Sequence, residues 1–258
     1  MGQHPSHLAK PCNPHHSGLK RKKMKERLLK QLNRAIRGFR LIEDGDRVLV
    51  GLSGGKDSLC LLELLAQRRQ VFVPKFSLEA IHIRMENIAY ETDTRYLESF
   101  CARLEVPLHI VTTSFDASTD KRKSPCFLCS WMRRKQMFNL AQELGCNKIA
   151  LGHHMDDIVH TALMNTTFQG RFDSMPVRLK MKKMPLEIIR PLCLCHEADL
   201  IRFAEENNYQ KQTKLCPYER DSHRDSIKHI FEELQQLNPE ARYSIWNALH
   251  SAGKLTEE

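Results

Sequence analysis

The stretch Val48-Leu-Val-Gly-Leu-Ser-Gly-Gly-Lys-Asp-Ser58 constrains the fold of this chain more than any other. Arg47 to Leu52 is an apolar, β-branched run that reads as a buried strand. The run breaks at Ser53-Gly54-Gly55, and a helix follows with Leu59, Leu61, Leu62, Leu64 and Leu65 as its apolar residues. A strand, a glycine turn and a helix start together aim backbone N–H groups at an anion. The two glycines let the backbone approach a phosphate where a Cβ would clash. Asp57 or Ser58 is placed to cap the helix.

The loop is not a Walker A motif, which has four residues between its glycines and Ser or Thr after the lysine. Here three residues separate Gly51 from Gly55, and Asp57 follows Lys56. An Asp beside a phosphate cradle repels unless a divalent cation lies between them, which points to Mg²⁺. The segment resembles the pyrophosphatase loop (PP-loop) of N-type ATP pyrophosphatases. That resemblance implies cleavage of ATP to AMP and pyrophosphate while a substrate carbonyl or amide oxygen is adenylated.

With 258 residues, 41% of them hydrophobic, the chain can bury a substantial core. A formal charge of +9 suits a polyanionic partner. No apolar run reaches the length of a membrane span, and the polar, basic start lacks the apolar core of a signal peptide. Nine cysteines without such a signal favour a reducing, cytoplasmic setting, where paired Cys more often serve metals or catalysis than disulfides.

Residues 1–18, rich in His and Pro, read as a flexible tail, with a weak metal-binding option at Cys12, His15 and His16. Residues 19–42 read as a basic helix with an apolar stripe of Leu28, Leu29, Leu32, Ile36 and Phe39. Its basic face is either solvated or set against nucleic-acid phosphates. Strands at 76–83, 107–113 and 148–153 alternate with helices at 92–104, 130–144 and 157–168, which implies a parallel α/β sheet. Ligands in such sheets bind at the carboxyl ends of strands. Ser53–Ser58, the region after Ile83, and Gly152–Asp157 all lie there. Asp156 and Asp157 are placed to hold Mg²⁺ or to cap their helix. After Gly170 the pattern becomes a hairpin (175–182 and 186–191), then helices at 197–207, 222–237 and 240–250.

Cys126-Phe-Leu-Cys129 directly precedes the helix expected at Ser130. Two thiolates at a helix N-terminus can share one metal centre. One such pair admits a redox role, half a zinc site, or part of an iron–sulfur cluster. Cys193 and Cys195, like Cys60, Cys101 and Cys146, lie among apolar residues and read as core. Cys216 differs, because it sits in a polar loop before Pro217.

The ordered set is more specific than its parts. A PP-loop, a Cys-x-x-Cys with Arg133 and Arg134 after it, Gly152-His-His-Met-Asp-Asp157, Ile189-Arg-Pro-Leu192 and a late single Cys occur in that order. This is similar to the tRNA 2-thiocytidine synthetase family (TtcA), over about residues 25–250. One departure is Thr213, where members often carry a second cysteine.

The resemblance implies an open parallel sheet with helices on both faces, adenine nucleotide alpha hydrolase-like, over 43–195. A basic helical segment (19–42) precedes it, and a C-terminal helical extension (196–258) follows. It implies that Cys126, Cys129 and Cys216 hold a [4Fe–4S] cluster. ATP would lie on Leu52, Ser53, Gly54, Gly55, Lys56, Asp57, Ser58, His82, Gly152, His153 and Asp156. Lys56, Asp57 and Asp157 would act in catalysis, with Asp57 on Mg²⁺. Lys22, Lys23, Arg133 and Arg134 would touch RNA, as would the charges of Lys121–Lys123 and Arg178–Lys183.

The implied reaction adenylates C2 of a tRNA cytidine, at a loop position such as 32. Sulfur delivered from the cluster then displaces AMP and leaves 2-thiocytidine. The partners are tRNA and a sulfur donor such as a cysteine desulfurase. A homodimer stays open. A PP-loop 2-thiouridine synthetase, a small-molecule sulfur transferase or amide ligase, and a non-catalytic nucleotide- or RNA-binding protein are the other readings. The missing zinc-type Cys pairs at the two ends count against the first of these.

Overall fold

The computed structural model describes residues 14–71, 73–90, 94–116, 118, 124–210, 213–215 and 223–257. Cys12, Lys121–Lys123 and Cys216 lie outside them. In chain order the elements are α1 (Pro14–Gly38), β1 (Arg47–Gly51), α2 (Lys56–Arg69), β2 (Ser77–Met85), β3 (Ala89–Tyr90), α3 (Arg95–Arg103) and β4 (Leu108–Thr113). Then come α4 (Pro125–Glu143), β5 (Lys148–Ala150), α5 (Met155–Gln169), β6 (Arg178–Lys180), β7 (Glu187–Ile189) and α6 (Glu197–Glu206). The chain closes with β8 (Lys214–Leu215), α7 (His223–Leu237), α8 (Ala241–Ser251) and β9 (Thr256–Glu257).

Among the described residues, seven strands form one sheet in the order β4-β2-β1-β5-β7-β6-β9. The five from β4 to β7 run parallel, as the strand–helix alternation requires. Register is fixed by pairs such as Gly51 with Ile81 and Val50 with Ala150. The chain leaves β1 outward through β2 and β4, then returns to β5 on its other side. The switch point of this doubly wound sheet therefore lies between β1 and β5, where ligand crevices open. The expected hairpin forms as antiparallel β6 and β7.

The two faces of the sheet are covered unequally. On one, Val48, Val50 and Ala150 join a core built from α1, α2, α3, α5, α6, α7 and α8. On the other, Leu49, Ile81, Ile83 and Ile149 meet α4, with the β6–β7 turn beside it. The larger core runs from Met24 to Leu255, so the boundaries drawn at 42 and 195 do not divide it.

Several boundaries differ from the sequence reading. Helix α1 begins at Pro14, inside the stretch read as a tail, and ends at Gly38. Its inward stripe is Met24, Leu28, Leu32, Ala35 and Ile36, while Leu29 and Phe39 are only partly buried. Helix α4 begins at Pro125 rather than Ser130. Ser124 caps it by accepting from the Phe127 N–H at 3.2 Å, and Pro125 takes the first helical position. Neither Asp57 nor Ser58 caps α2, whose N-cap is Gly55 without a side-chain bond.

Asp156 is a tether of the fold. It is 4% exposed, accepts from the Glu197 N–H at 2.8 Å, and pairs with Arg242 at 2.8 Å. It thereby joins the start of α5 to α6 and α8. Removing one partner of a buried pair leaves the other uncompensated. Asp156→Ala should therefore cost about 3 kcal/mol of unfolding free energy in denaturant titrations. A loss of a few tenths would show the tether to be dispensable.

Candidate active site

A cavity of about 320 Å³ opens at the switch point, within the size range of ligand pockets. Leu52, Ile81, Ile83, Met137 and Leu151 give it an apolar side. Ser53, Asp57, Ser58, Arg133, His153 and Asp157 give it a polar side. An apolar slot beside converging donors and carboxylates suits a nucleotide base next to its phosphates.

The loop is held by its own hydroxyls. Gly54 sits at φ 85°, a conformation glycine adopts without strain. The Gly55 N–H donates to Ser53 Oγ at 3.3 Å, and Ser53 Oγ donates to Ser58 Oγ at 3.1 Å. Ser58 Oγ donates to the Gly55 carbonyl at 2.9 Å. Gly152, just past β5, lies against the same loop. A Cβ there would stand 3.0 Å from the Asp57 carbonyl carbon and 3.0 Å from the Ser58 nitrogen. The loops after β1 and β5 are therefore one packed unit.

The two carboxylates of the cavity are held differently. Asp57 Oδ2 lies 3.1 Å from Lys56 Nζ. Its Oδ1 is buried without a hydrogen-bond partner among the described residues. Asp157 forms a capping box with His154, accepting from its N–H at 3.1 Å while its own N–H donates to His154 Nδ1 at 3.4 Å. An orphaned carboxylate oxygen on a cavity wall, with a second carboxylate on that wall, is a hard oxygen donor set that fits Mg²⁺.

Lys56 does not line the cavity. Its Nζ sits between Asp57 and Glu197, at 3.1 Å from each. Burial opposes its charge, but the two carboxylates outweigh that and raise its pKa. Burial likewise opposes the Glu197 charge, but Lys228 and Lys56 prevail and hold it at about 2.

His153 is fixed by Arg190, the arginine of Ile189-Arg-Pro-Leu192. Arg190 Nε donates to His153 Nδ1 at 3.3 Å, and the same guanidinium donates to the Pro176 carbonyl. A guanidinium cannot accept, so Nδ1 is the bare nitrogen and Nε2 carries the proton. Burial, then repulsion from Arg190, lowers the His153 pKa to about 4. His153 is thus a neutral N–H donor at the cavity wall. His82 is 2% exposed and bonds the Leu52 carbonyl through Nδ1 at 2.7 Å, so it buttresses the loop from behind the cavity.

The structure thus brings Leu52, Ser53, Asp57, Ser58, Gly152, His153 and Asp157 to one cavity. Gly54, Gly55, Lys56 and His82 support the loop, and Asp156 stands apart as the tether already described. Arg133, expected at an RNA surface, lines the cavity instead, while Arg134 is exposed. Neighbours on a helix point about 100° apart, which is why the sequence alone did not separate the two arginines. Sequence reasoning missed Arg190; its position before Pro191, at the end of a strand beside β5, was the available signal.

Cys126 is exposed and Cys129 half-buried in the first turns of α4. Cys60, Cys101, Cys146, Cys193 and Cys195 are buried, and burial pushes the Cys101 and Cys195 thiols up to about 12. Among the described residues no group of three side chains forms a metal site. Leu215, which directly precedes Cys216, pairs with Ala89 in a two-stranded ladder. The next residue back, Ile88, belongs to the hydrophobic cluster that also packs Cys129.

Comparison with known proteins decides the family. The PP-loop domain model matches residues 21–234. The tRNA-cytidine(32) 2-sulfurtransferase of Geobacter sulfurreducens is 36% identical over 224 residues, 84% of this chain and 86% of that protein. Its counterpart in Tolumonas auensis is 32% identical over 232 residues, 89% and 77% of the two chains. The chain belongs to the tRNA 2-thiocytidine synthetase family of PP-loop proteins. A solved relative, the U34-tRNA thiolase NcsA of Methanococcus maripaludis with its [4Fe–4S] cluster, superposes with a TM-score of 0.70. It is 26% identical and covers 88% of this chain and 79% of its own.

Two outcomes follow for this family member. Gly152→Ala should raise the Kd for ATP at least tenfold while leaving the circular dichroism of the fold unchanged, because a Cβ displaces the loop backbone. An unchanged Kd would show that the loop yields freely. The second concerns acid. Below about 6.5 the unfolded chain protonates His153, while the folded chain does not until about 4. Stability therefore falls as pH drops through that window. His153→Gln should make the fall from pH 7 to pH 4.5 shallower in denaturant titrations; an equal fall would remove His153 as a contributor.

Proposed function

We propose that this protein is an ATP-dependent tRNA sulfurtransferase that converts a tRNA cytidine, at position 32, to 2-thiocytidine. The observation that carries this reading is the layout of α4. Arg133 lines the nucleotide cavity, and Cys129 lies one turn before it. Activation and sulfur transfer thus meet on one helix. The names of the relatives at 32% and 36% identity support the base and position.

In this reading the apolar side of the cavity takes adenine. Ser53, Ser58 and the loop N–H groups hold the pyrophosphate end. Asp57 and Asp157 would hold Mg²⁺ against the phosphates. Arg133 and the His153 Nε2–H donate to oxygens that gain charge as the α-phosphate is attacked. The cytidine C2 oxygen bonds to that phosphorus, the bond to the β-phosphate oxygen breaks, and pyrophosphate leaves. Sulfur then bonds to C2, and AMP departs with the former oxygen. Cys126, Cys129 and Cys216 would hold a [4Fe–4S] cluster, which supplies the sulfur chemistry when bound. A cysteine desulfurase is the matching class of sulfur donor. The target base must leave its stack to reach the cavity, which suits a loop nucleotide. Exposed Lys22 and Lys23 on α1 offer phosphate contacts. No described helix is long and apolar enough to cross a membrane, and the reading places the reaction in the cytoplasm with bulk tRNA.

The likeness to a U34-tRNA thiolase supports a second reading, thiolation of the wobble uridine. Anaerobic reconstitution with iron and sulfide, then ATP and bulk tRNA, separates the two by nucleoside mass spectrometry. 2-Thiocytidine is expected, and 2-thiouridine alone would overturn the base assignment. Cys129→Ala and Cys216→Ala should abolish thiolation and leave ATP affinity within twofold; activity surviving either change would remove that cysteine from the site.

A further inference from the structure

Helix α4 carries two large aromatic side chains at the surface. Phe127 is 43% exposed and Trp131 48%. Four residues apart, they share one face of the helix. Arg134 and Lys135 extend that face, and Lys135 Nζ stands 5.5 Å from the centre of the Trp131 ring. Turned away from them, Leu128, Met132, Met137 and Leu140 pack against the core. Before Glu143 the helix has three basic residues and no acidic one.

An exposed aromatic stripe flanked by cations matches the needs of an unpaired nucleic acid. Every base has a π-face, and its phosphates need positive charge close by. Duplex RNA hides its base faces, so such a surface selects loops over stems. A second copy of this chain fits less well. A two-fold contact through this face would set Arg134 and Lys135 against their own counterparts in a chain of net charge +9.

We propose that Phe127 and Trp131 form a stacking platform for unpaired nucleobases of the RNA substrate, with Arg134 and Lys135 on the adjoining phosphates. The proposal deepens the tRNA reading and rests on it for the identity of the RNA. Platform and cavity lie on opposite sides of one helix, about 10 Å across. The bases held outside are therefore neighbours of the target, and the cysteine pair at the start of α4 lies alongside.

The protein carries its own reporter. It has two tryptophans, and Trp246 is only 7% exposed. In a full-length Trp246→Phe variant the emission comes from Trp131 alone. Titration with an RNA hairpin bearing an unpaired loop should quench it saturably, whereas a blunt duplex of equal charge should not. Trp131→Ala should weaken hairpin binding about tenfold. Trp131→Phe should keep most of the affinity, and Trp131→Leu should not. ATP affinity should be the same in all three, which verifies folding.

Equal quenching by the duplex would reduce the face to a phosphate contact and overturn the platform. Unchanged hairpin affinity in Trp131→Ala would do the same. Emission that tracks protein concentration and ignores RNA would assign the face to a second copy. These measurements need neither ATP turnover nor a cluster. A protein that passes them yet makes no thiolated nucleoside refutes the sulfurtransferase reading and leaves the platform standing.

Discussion

The site depends on one steric contact, the backbone of Gly152 against the backbone of Asp57 and Ser58. A strand-to-helix turn after β1 would bind an anion anywhere. What makes it half of an enzyme is a second strand-to-helix turn pressed against it, from β5. At a separation with no room for a Cβ, the two turns share a wall. Asp57 from one and His153 and Asp157 from the other then line a single cavity. The parallel pairing of β1 with β5 sets this up, because it brings two carboxyl strand ends side by side. A hinge between the turns would lose the alignment; tight packing keeps it.

Adjacent residues of like chemistry take unlike roles around that contact. Asp156 is buried and consumed by Glu197 and Arg242, while Asp157 faces the cavity. Arg133 faces the cavity and Arg134 the solvent. In both pairs the helix turns one residue inward and its neighbour away. In the aspartate pair the buried member ties α5 to α6 and α8, so that Asp157 can present its charge at a defined point. His153 follows the same logic through Arg190, whose donated hydrogen bond dictates which ring nitrogen carries the proton.

Much of this was legible in the sequence. The apolar strand, the glycine turn and the alternation of strands and helices foretold a parallel sheet with ligands at its carboxyl edge, because burial on both sides leaves a strong apolar signal. The parts that were not legible share a cause. Helix α4 starts five residues earlier than its apolar pattern, since Ser124 and Pro125 set the start and the Cys pair carries no periodicity. β9 is two residues long and is defined only by its pairing with β6. Lys56 was read as an ATP contact from its place in the loop, and its pairing with Glu197, 141 residues away, as well as with Asp57, had no signal in the sequence.

The unequal cover of the sheet explains where reactivity can sit. The face carrying seven helices buries its cysteines, and burial raises their pKa values until they are inert. Among the described residues the other face is covered by α4 and the β6–β7 turn, and α4 contributes Arg133 and Met137 to the cavity wall. Cysteines in its first turns stay within reach of solvent. One side of α4 carries the exposed Phe127 and Trp131, while Arg133 and Met137 form part of the cavity wall. A macromolecular substrate can therefore be gripped on one side of a helix and have its reacting base presented on the other.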